Sequence, residues 1–382
     1  MTIESTLPQT GTPAQLKQRD DFRRNVWCLM GIPIDAVTIN ETSDLVRTAA
    51  KTRERLSFVT PNVNWLVSTW KNPEMRRLVI DADLSVIDGA PLVAMAKRLG
   101  LPITERVAGS DLYEHLEQSE EEPLTVFFFG GREGAAKAAH EKTLQDETRA
   151  LRSVGWLNPG FGDIAAMSTP DKISAINKAA PQFIVVALGA AKGQKWIDHN
   201  AEHLNAPAIA HLGAVVDFTA GTVKRTPPWI AKAGFEWLWR IFAEPSLWKR
   251  YAKDAMSLAG LLSFKFLPQK LNNPQKSLPD AKTFSFAMCT GLKNDPCVIK
   301  LKGTLIYNHL HPVRAQFRKA ANLGEDVILD FKDVIHIDLA FLGQCLMLEK
   351  HLTRHGKSIR LQNLTPAMRK NFLRNQMDYK II

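Results

Sequence analysis

Cysteine is scarce in this chain. Cys28, Cys289, Cys297 and Cys345 form no C-x-x-C pair, which argues against a structural zinc site, suits a reducing compartment and leaves all four as core or surface thiols. No run approaches the roughly twenty uninterrupted apolar residues of a membrane-spanning helix. Residues 1–24 are polar, rich in Thr and Gln and without the apolar stretch of a secretory signal, so they read as a flexible cytoplasmic tail. A dinucleotide fingerprint is missing too. TVFFFGGREGAAKAAH joins an apolar strand to an Ala-rich helix through Gly130, Gly131 and Gly134, but the spacing is not G-x-G-x-x-G and no acid stands at the ribose distance. Amides at that helix start could hold a phosphate, and a tight structural turn fits equally well.

What is present points to two cored domains in 382 residues, with 45% apolar content. The formal net charge of +10 favours an anionic partner: nucleic acid, nucleotide diphosphates or an acidic membrane face. From Val26 to about Ile209 short apolar runs (LSFVTPN, LSVIDG, LTVFFFGG, FIVVALG) alternate with amphipathic ones, the βαβ pattern of a parallel sheet with helices on both faces. The runs end in Thr60-Pro61-Asn62, Asp88-Gly89, Gly130-Gly131 and Leu188-Gly189, which a doubly wound sheet gathers on one rim. Asp88 is either a base at a strand's carboxyl end or half of an ordinary Asp-Gly turn. Asn62 and its neighbours are either a helix cap or a binding loop. Arg106 precedes Gly109-Ser110-Asp111, where Ser110 or Asp111 could cap a helix. The arginine could clamp a diphosphate or lie on the surface. His199, His203 and His211 read as structural histidines.

Residues 221–251 hold Trp229, Trp237, Trp239 and Trp248 among Lys224, Arg225, Lys232, Arg240, Lys249 and Arg250. That mixture suits core packing, anionic lipid headgroups or single-stranded nucleic acid. Residues 265–282, rich in Pro, Asn, Gln and Lys, have the composition of a linker. Beyond it, strands at FSFAM, CVIKLKG, VILDFK and SIRLQNL and helices near Pro312–Ala321, Leu339–His351 and from Thr365 outline a small α/β domain over 283–382.

The blocks FVTPNVNW, NPEMRRLVIDADL, SVIDGAPLV, ERVAGSDL, VFFFGG, VVALGAAKGQKW, HLGAVVDFTAGTVKRTPPW and FEWLWRIFAEPSLWKRY occur in the order found in the WecG/TagA/CpsF glycosyltransferases, which residues 25–264 resemble. The resemblance implies a Rossmann-like α/β domain and inverting, metal-independent transfer of a sugar from a UDP-sugar to a polyprenyl-diphosphate-linked saccharide in exopolysaccharide or surface-glycan synthesis. It puts the protein at the cytoplasmic face of the plasma membrane with no cofactor, and leaves nucleic acid out. It places the base on Asp88, a nearby hydroxyl on Thr60, and Arg106 and Arg225 at the leaving diphosphate. Asn62, Asn64, Gly130, Gly131, Gly189, Gln194 and Asp217 would line the substrate site. Arg240 and Arg250, in a basic and aromatic appendage facing the membrane, would hold the lipid diphosphate. One departure stands out: where the family carries Gln, this chain has Gly193, with Gln194 at the customary Glu position.

VILDFKDVIHIDLAFLGQCLMLEKHLTRHGKSIRL resembles a STAS domain. Leu339 and Ala340 follow Asp338 where phosphorylatable members have serine, so no side chain there accepts a phosphoryl group. The resemblance implies a docking or regulatory module for a protein partner, with structural packing as the alternative. The competing whole-chain reading is a non-catalytic scaffold that presents this module.

Overall fold

The computed structural model describes residues 16–146, 148–223, 226–227, 230, 236–243, 248–267, 285–290 and 295–382. Its first element is a hairpin of β1 (Val26–Leu29) and β2 (Ile32–Asp35), paired antiparallel. Met30 and Gly31 turn it with φ of 52° and 95°, both in the region glycine favours. Every hairpin residue is buried, so the segment has no polar alternation and is not legible as two strands.

There follow α1 (Ile39–Thr52), β3 (Leu56–Val59), α2 (Val63–Lys71), α3 (Pro73–Asp81), β4 (Leu84–Ser85), α4 (Ala90–Arg98), α5 (Gly109–Glu117), β5 (Leu124–Gly130), α6 (Ala135–Gln145), β6 (Leu151–Leu157), α7 (Pro170–Ala179), β7 (Phe183–Ala187), α8 (Ala190–Asn200), β8 (Ala208–His211) and α9 (Gly213–Ala220). The six strands from β3 to β8 form one sheet in the order β4-β3-β8-β7-β5-β6, every pair parallel. Alternation along β5 assigns the two faces: Val126 and Phe128 pack with α1, α5, α6 and α9, and Phe127 and Phe129 with α7 and α8. β4 is shorter than the sequence suggests. Val86 and Ile87 are buried just beyond its last residue, and the Val86 N–H still donates to the Val59 carbonyl of β3 at 3.0 Å.

Helices at Glu236–Ala243 and Trp248–Leu261 close this domain. The second domain carries β9 (Ser285–Thr290), β10 (Cys297–Leu305), β11 (Val327–Ile337), β12 (Ile359–Gln362) and β13 (Lys380–Ile381), ordered β13-β12-β11-β10-β9, with β9 antiparallel and the other pairs parallel. Helices lie at His311–Leu323, Leu339–Arg354 and Pro366–Arg374. Asp338 caps the second by accepting from the Phe341 N–H (2.8 Å), and it also accepts from the Tyr307 N–H (2.9 Å). Most of the expected 265–282 linker lies outside the described residues, although Phe266 is buried.

One hydrophobic cluster joins the two domains, from Val26, Leu29 and Ile32 through Phe341 and Leu346 to Leu361. Every residue from Leu339 to Leu348 is buried, so this helix of the expected docking module packs within the chain. Gly343 is mid-helix because β1 comes so near that a Cβ there would stand 2.5 Å from the Val26 carbonyl oxygen. Trp27 stacks on Tyr307 at 5.3 Å. Cys28 and Cys345 are free and buried, but Cys297 is disulfide-bonded, which corrects the reading of four thiols.

Candidate active site

The carboxyl ends of the parallel strands and the amino ends of α2, α4, α5, α6, α8 and α9 meet on one rim. Asn62 caps α2 by accepting from the Trp65 N–H at 3.2 Å. The other five helices have no side-chain cap. Their first-turn N–H groups, with the positive ends of the helix dipoles, suit a diphosphate at this rim.

Two backbone bonds draw the expected catalytic loops together. The Asp88 N–H donates to the Pro61 carbonyl (2.9 Å), and the Val107 N–H to the Ile87 carbonyl (2.8 Å). The loops of Thr60, Asp88 and Arg106 are thereby tied side by side. Gly89 holds φ at +113°, which L side chains rarely adopt, and that explains the Asp-Gly pair. Gly109 is the pinch point, since a Cβ there would lie 2.5 Å from Leu212 Cδ2 and 3.8 Å from Thr60 Cγ2. Thr60, Asn62 and Asp88 are partly buried. Arg106 pairs with Asp111 at 2.5 Å, so Asp111 anchors the arginine, and neither it nor Ser110 caps α5, which begins at Gly109.

The other flank is built around β5 and β7. Gly130 and Gly131 both have φ near +90°, and the Gly131 N–H donates to the Ala187 carbonyl (2.6 Å), whose oxygen would be 2.7 Å from a Cβ on Gly130. Asp217 on α9 reaches across to Arg132 of that turn (3.7 Å). Gly189 begins α8 with open space around its Cα. Gln194 is 2% exposed and its Oε1 has no hydrogen-bond partner among the described residues. Trp196 anchors the helix, stacked 4.0 Å from Phe129 and donating its indole N–H to the Met167 carbonyl at 3.1 Å.

His211 fills the space at Gly193. Its Nε2–H donates to the Leu188 carbonyl at 2.5 Å, and burial holds its pKa below the ordinary value, so the ring is neutral. A ring so bonded fits the structural reading of His211. The signal for its second role was the missing side chain at 193.

Asn64, the second residue of α2, donates to both carboxylate oxygens of buried Asp254 (3.3 and 3.0 Å), while Lys71 donates to Ser257 at 2.9 Å. These bonds fasten α2 to helix Trp248–Leu261. Asp254 was not foreseen, because nothing in its local sequence shows a partner 190 residues away. Arg250 is exposed and lies over the Tyr251 ring at 5.3 Å. Arg225 and the Arg240 side chain lie outside the described residues. A cavity of about 620 Å³ between α5, α6 and α9 is lined at its rim side by Ser110 and Val215, from the first turns of α5 and α9; neither Asp88 nor Thr60 lines it.

Residues 289–381 match the family model described as Mlab, STAS domain. Two curated relatives are both named N-acetylglucosaminyldiphosphoundecaprenol N-acetyl-beta-D-mannosaminyltransferase. The one from Bacillus spizizenii (strain W23) is 27% identical over 219 residues, 57% of this chain and 82% of the relative. The one from Bacillus subtilis (strain 168) is 28% identical over 165 residues, 43% of this chain and 62% of the relative. A structure of the anti-sigma factor antagonist SpoIIAA in its unphosphorylated form covers 25% of this chain and 86% of its own at 23% identity and a TM-score of 0.22, a likeness too slight to carry an assignment. Residues 27–272 match the model of the Glycosyl transferase WecG/TagA/CpsF family; the chain belongs to that family.

Proposed function

We propose that the protein transfers a sugar, with inversion and without a metal, from a UDP-sugar to a polyprenyl-diphosphate-linked saccharide. The acceptor hydroxyl oxygen attacks the anomeric carbon from the face opposite the nucleotide. As that C–O bond forms, the bond from the anomeric carbon to the diphosphate oxygen breaks and its electron pair leaves with UDP. Asp88 takes the hydroxyl proton, and Thr60 and Asn62 orient the sugar. Arg106, Arg225 and the uncapped amides of the rim helices meet the charge gathering on the diphosphate. The observation that carries the reading is the bond from the Asp88 N–H to the Pro61 carbonyl, which ties the acid's loop to that of Thr60 and Asn62. The names of both curated relatives support a lipid-diphosphate acceptor.

The acceptor places the enzyme on a membrane surface. In support, Trp237, Phe242, Trp248, Met256 and Leu267 are exposed near the exposed Lys249, Arg250 and Lys253. No helix among the described residues is long and apolar enough to cross a membrane, so attachment is peripheral in this reading.

The test is a panel of UDP-sugars incubated with a polyprenyl-diphosphate-linked N-acetylglucosamine acceptor, the product's anomeric configuration being read by NMR. An inverted linkage is expected. A retained configuration would remove the single-displacement mechanism. Absence of both turnover and UDP binding would favour the scaffold.

A further inference from the structure

Lys350, on helix Leu339–Arg354 of the STAS domain, has no exposed surface. An ammonium has three hydrogens, and these meet the Ala82 carbonyl (3.3 Å) and Asp83 (3.0 Å) of the transferase domain and Asp21 (3.0 Å) just ahead of it, where Asp21, Phe22 and Arg24 are buried instead of forming the end of the expected flexible tail. His351 also stands 3.1 Å from Asp21. Burial by itself would raise the Asp21 and Asp83 carboxyls; the Lys350 ammonium is the largest opposing influence on each, and both are held below the usual range.

The bonds continue inward. Asp83 accepts from the N–H and the hydroxyl of Ser57, both at 2.9 Å. Asp21 accepts from Arg24 at 2.9 Å, Arg24 grips Asp35 at 2.7 and 3.0 Å, and Asp35 accepts from the Ser85 N–H at 2.7 Å. Ser57 lies on β3 shortly before Thr60, and Ser85 on β4 shortly before Asp88. β4 is a two-residue edge strand with two register pairs to β3, continued by backbone bonds from Val86 and Asp88 to the Val59 and Pro61 carbonyls, and the buried side chains add to what holds this short edge in place.

We propose that the STAS domain is an internal clamp on the transferase site, and that Lys350 is a positioning residue that fixes the ends of β3 and β4 through Asp83–Ser57 and Asp21–Arg24–Asp35–Ser85. The inference rests on the reading of Thr60 and Asp88 above. Without the ammonium, Asp21 and Asp83 repel each other in a buried space, and the bonds to Ser57 and Arg24 loosen first.

The experiment compares Lys350→Gln with Glu349→Gln in the full chain. Glu349 lies at the same domain boundary, bound to Arg76 (3.0 Å) and Tyr379 (2.7 Å), and makes no bond to this network. Steady-state kinetics and amide hydrogen exchange are read at a temperature where both variants are folded. For Lys350→Gln, kcat falls tenfold or more with KM within threefold, and amides of residues 57–62 and 84–89 exchange faster. Glu349→Gln changes neither. Should Lys350→Gln fail to fold, Asp83→Asn leaves one acceptor oxygen for the two sides now served by Ser57 and Lys350, so one of those links is lost and two cations face two carboxylates, and the same two effects are expected. Equal kcat and unchanged exchange would overturn the clamp, as would a kcat loss matched by Glu349→Gln. If the wild type turns over no donor, the transferase reading falls, and the exchange comparison alone supports or overturns the clamp.

Discussion

Gly193 and His211 compete for one volume: a Cβ on Gly193 would lie 2.0 Å from the His211 Cδ2. Replacing a helix-interior glycine with alanine ordinarily stabilises by about 0.5–1 kcal/mol. Here Gly193→Ala is expected to destabilise by about 1–3 kcal/mol through overpacking. Denaturant unfolding of Gly193→Ala, His211→Ala and the double variant checks it, because the double should be more stable than the sum of the singles. Additive effects would mean that the ring yields freely.

The glycine also shows where sequence alone stops. Position 193 stands out as a departure from the family pattern, but only the fold brings His211 of β8 against it. Strands β3, β4, β5 and β7 and the rim turns at Thr60 and Asp88 were legible, since each is an apolar run ending in turn residues; β6 was not read as a strand, and Arg106 was legible only as a residue ahead of a helix start. The β1–β2 hairpin was not, being buried throughout. Nor was the union of the two domains: the bonds of Lys350 to Asp21 and Asp83 span 329 and 267 residues, and a lysine in an amphipathic helix ordinarily faces water.

Acid should open the domain boundary. Asp21 and Asp83 have folded pKa values below the unfolded 3.8. The folded state therefore binds fewer protons, and the stabilisation is fully present above that pH and lost as pH falls below it. A titration of the unfolding midpoint from pH 6 to pH 2 should show a steep loss below about pH 4. Asp83→Asn should flatten it. An unchanged slope would mean that other carboxylates carry the acid sensitivity.

Asn64→Ala leaves the buried Asp254 carboxylate without its amide donor and is expected to cost about 1–3 kcal/mol. Because that bond fastens α2 to the helix starting at exposed Trp248, turnover of acceptor in vesicles should fall more than turnover of a short-chain soluble acceptor. Paired rate measurements on the two acceptors check it. Equal losses would separate the membrane face from the site.

Asp88 carries the account. With Asp88→Asn, kcat for UDP release in the presence of donor and lipid-linked acceptor is expected to fall by about 10²–10⁴, the usual contribution of a general base, with UDP binding retained. Turnover equal to wild type would contradict the chemistry assigned to this crevice.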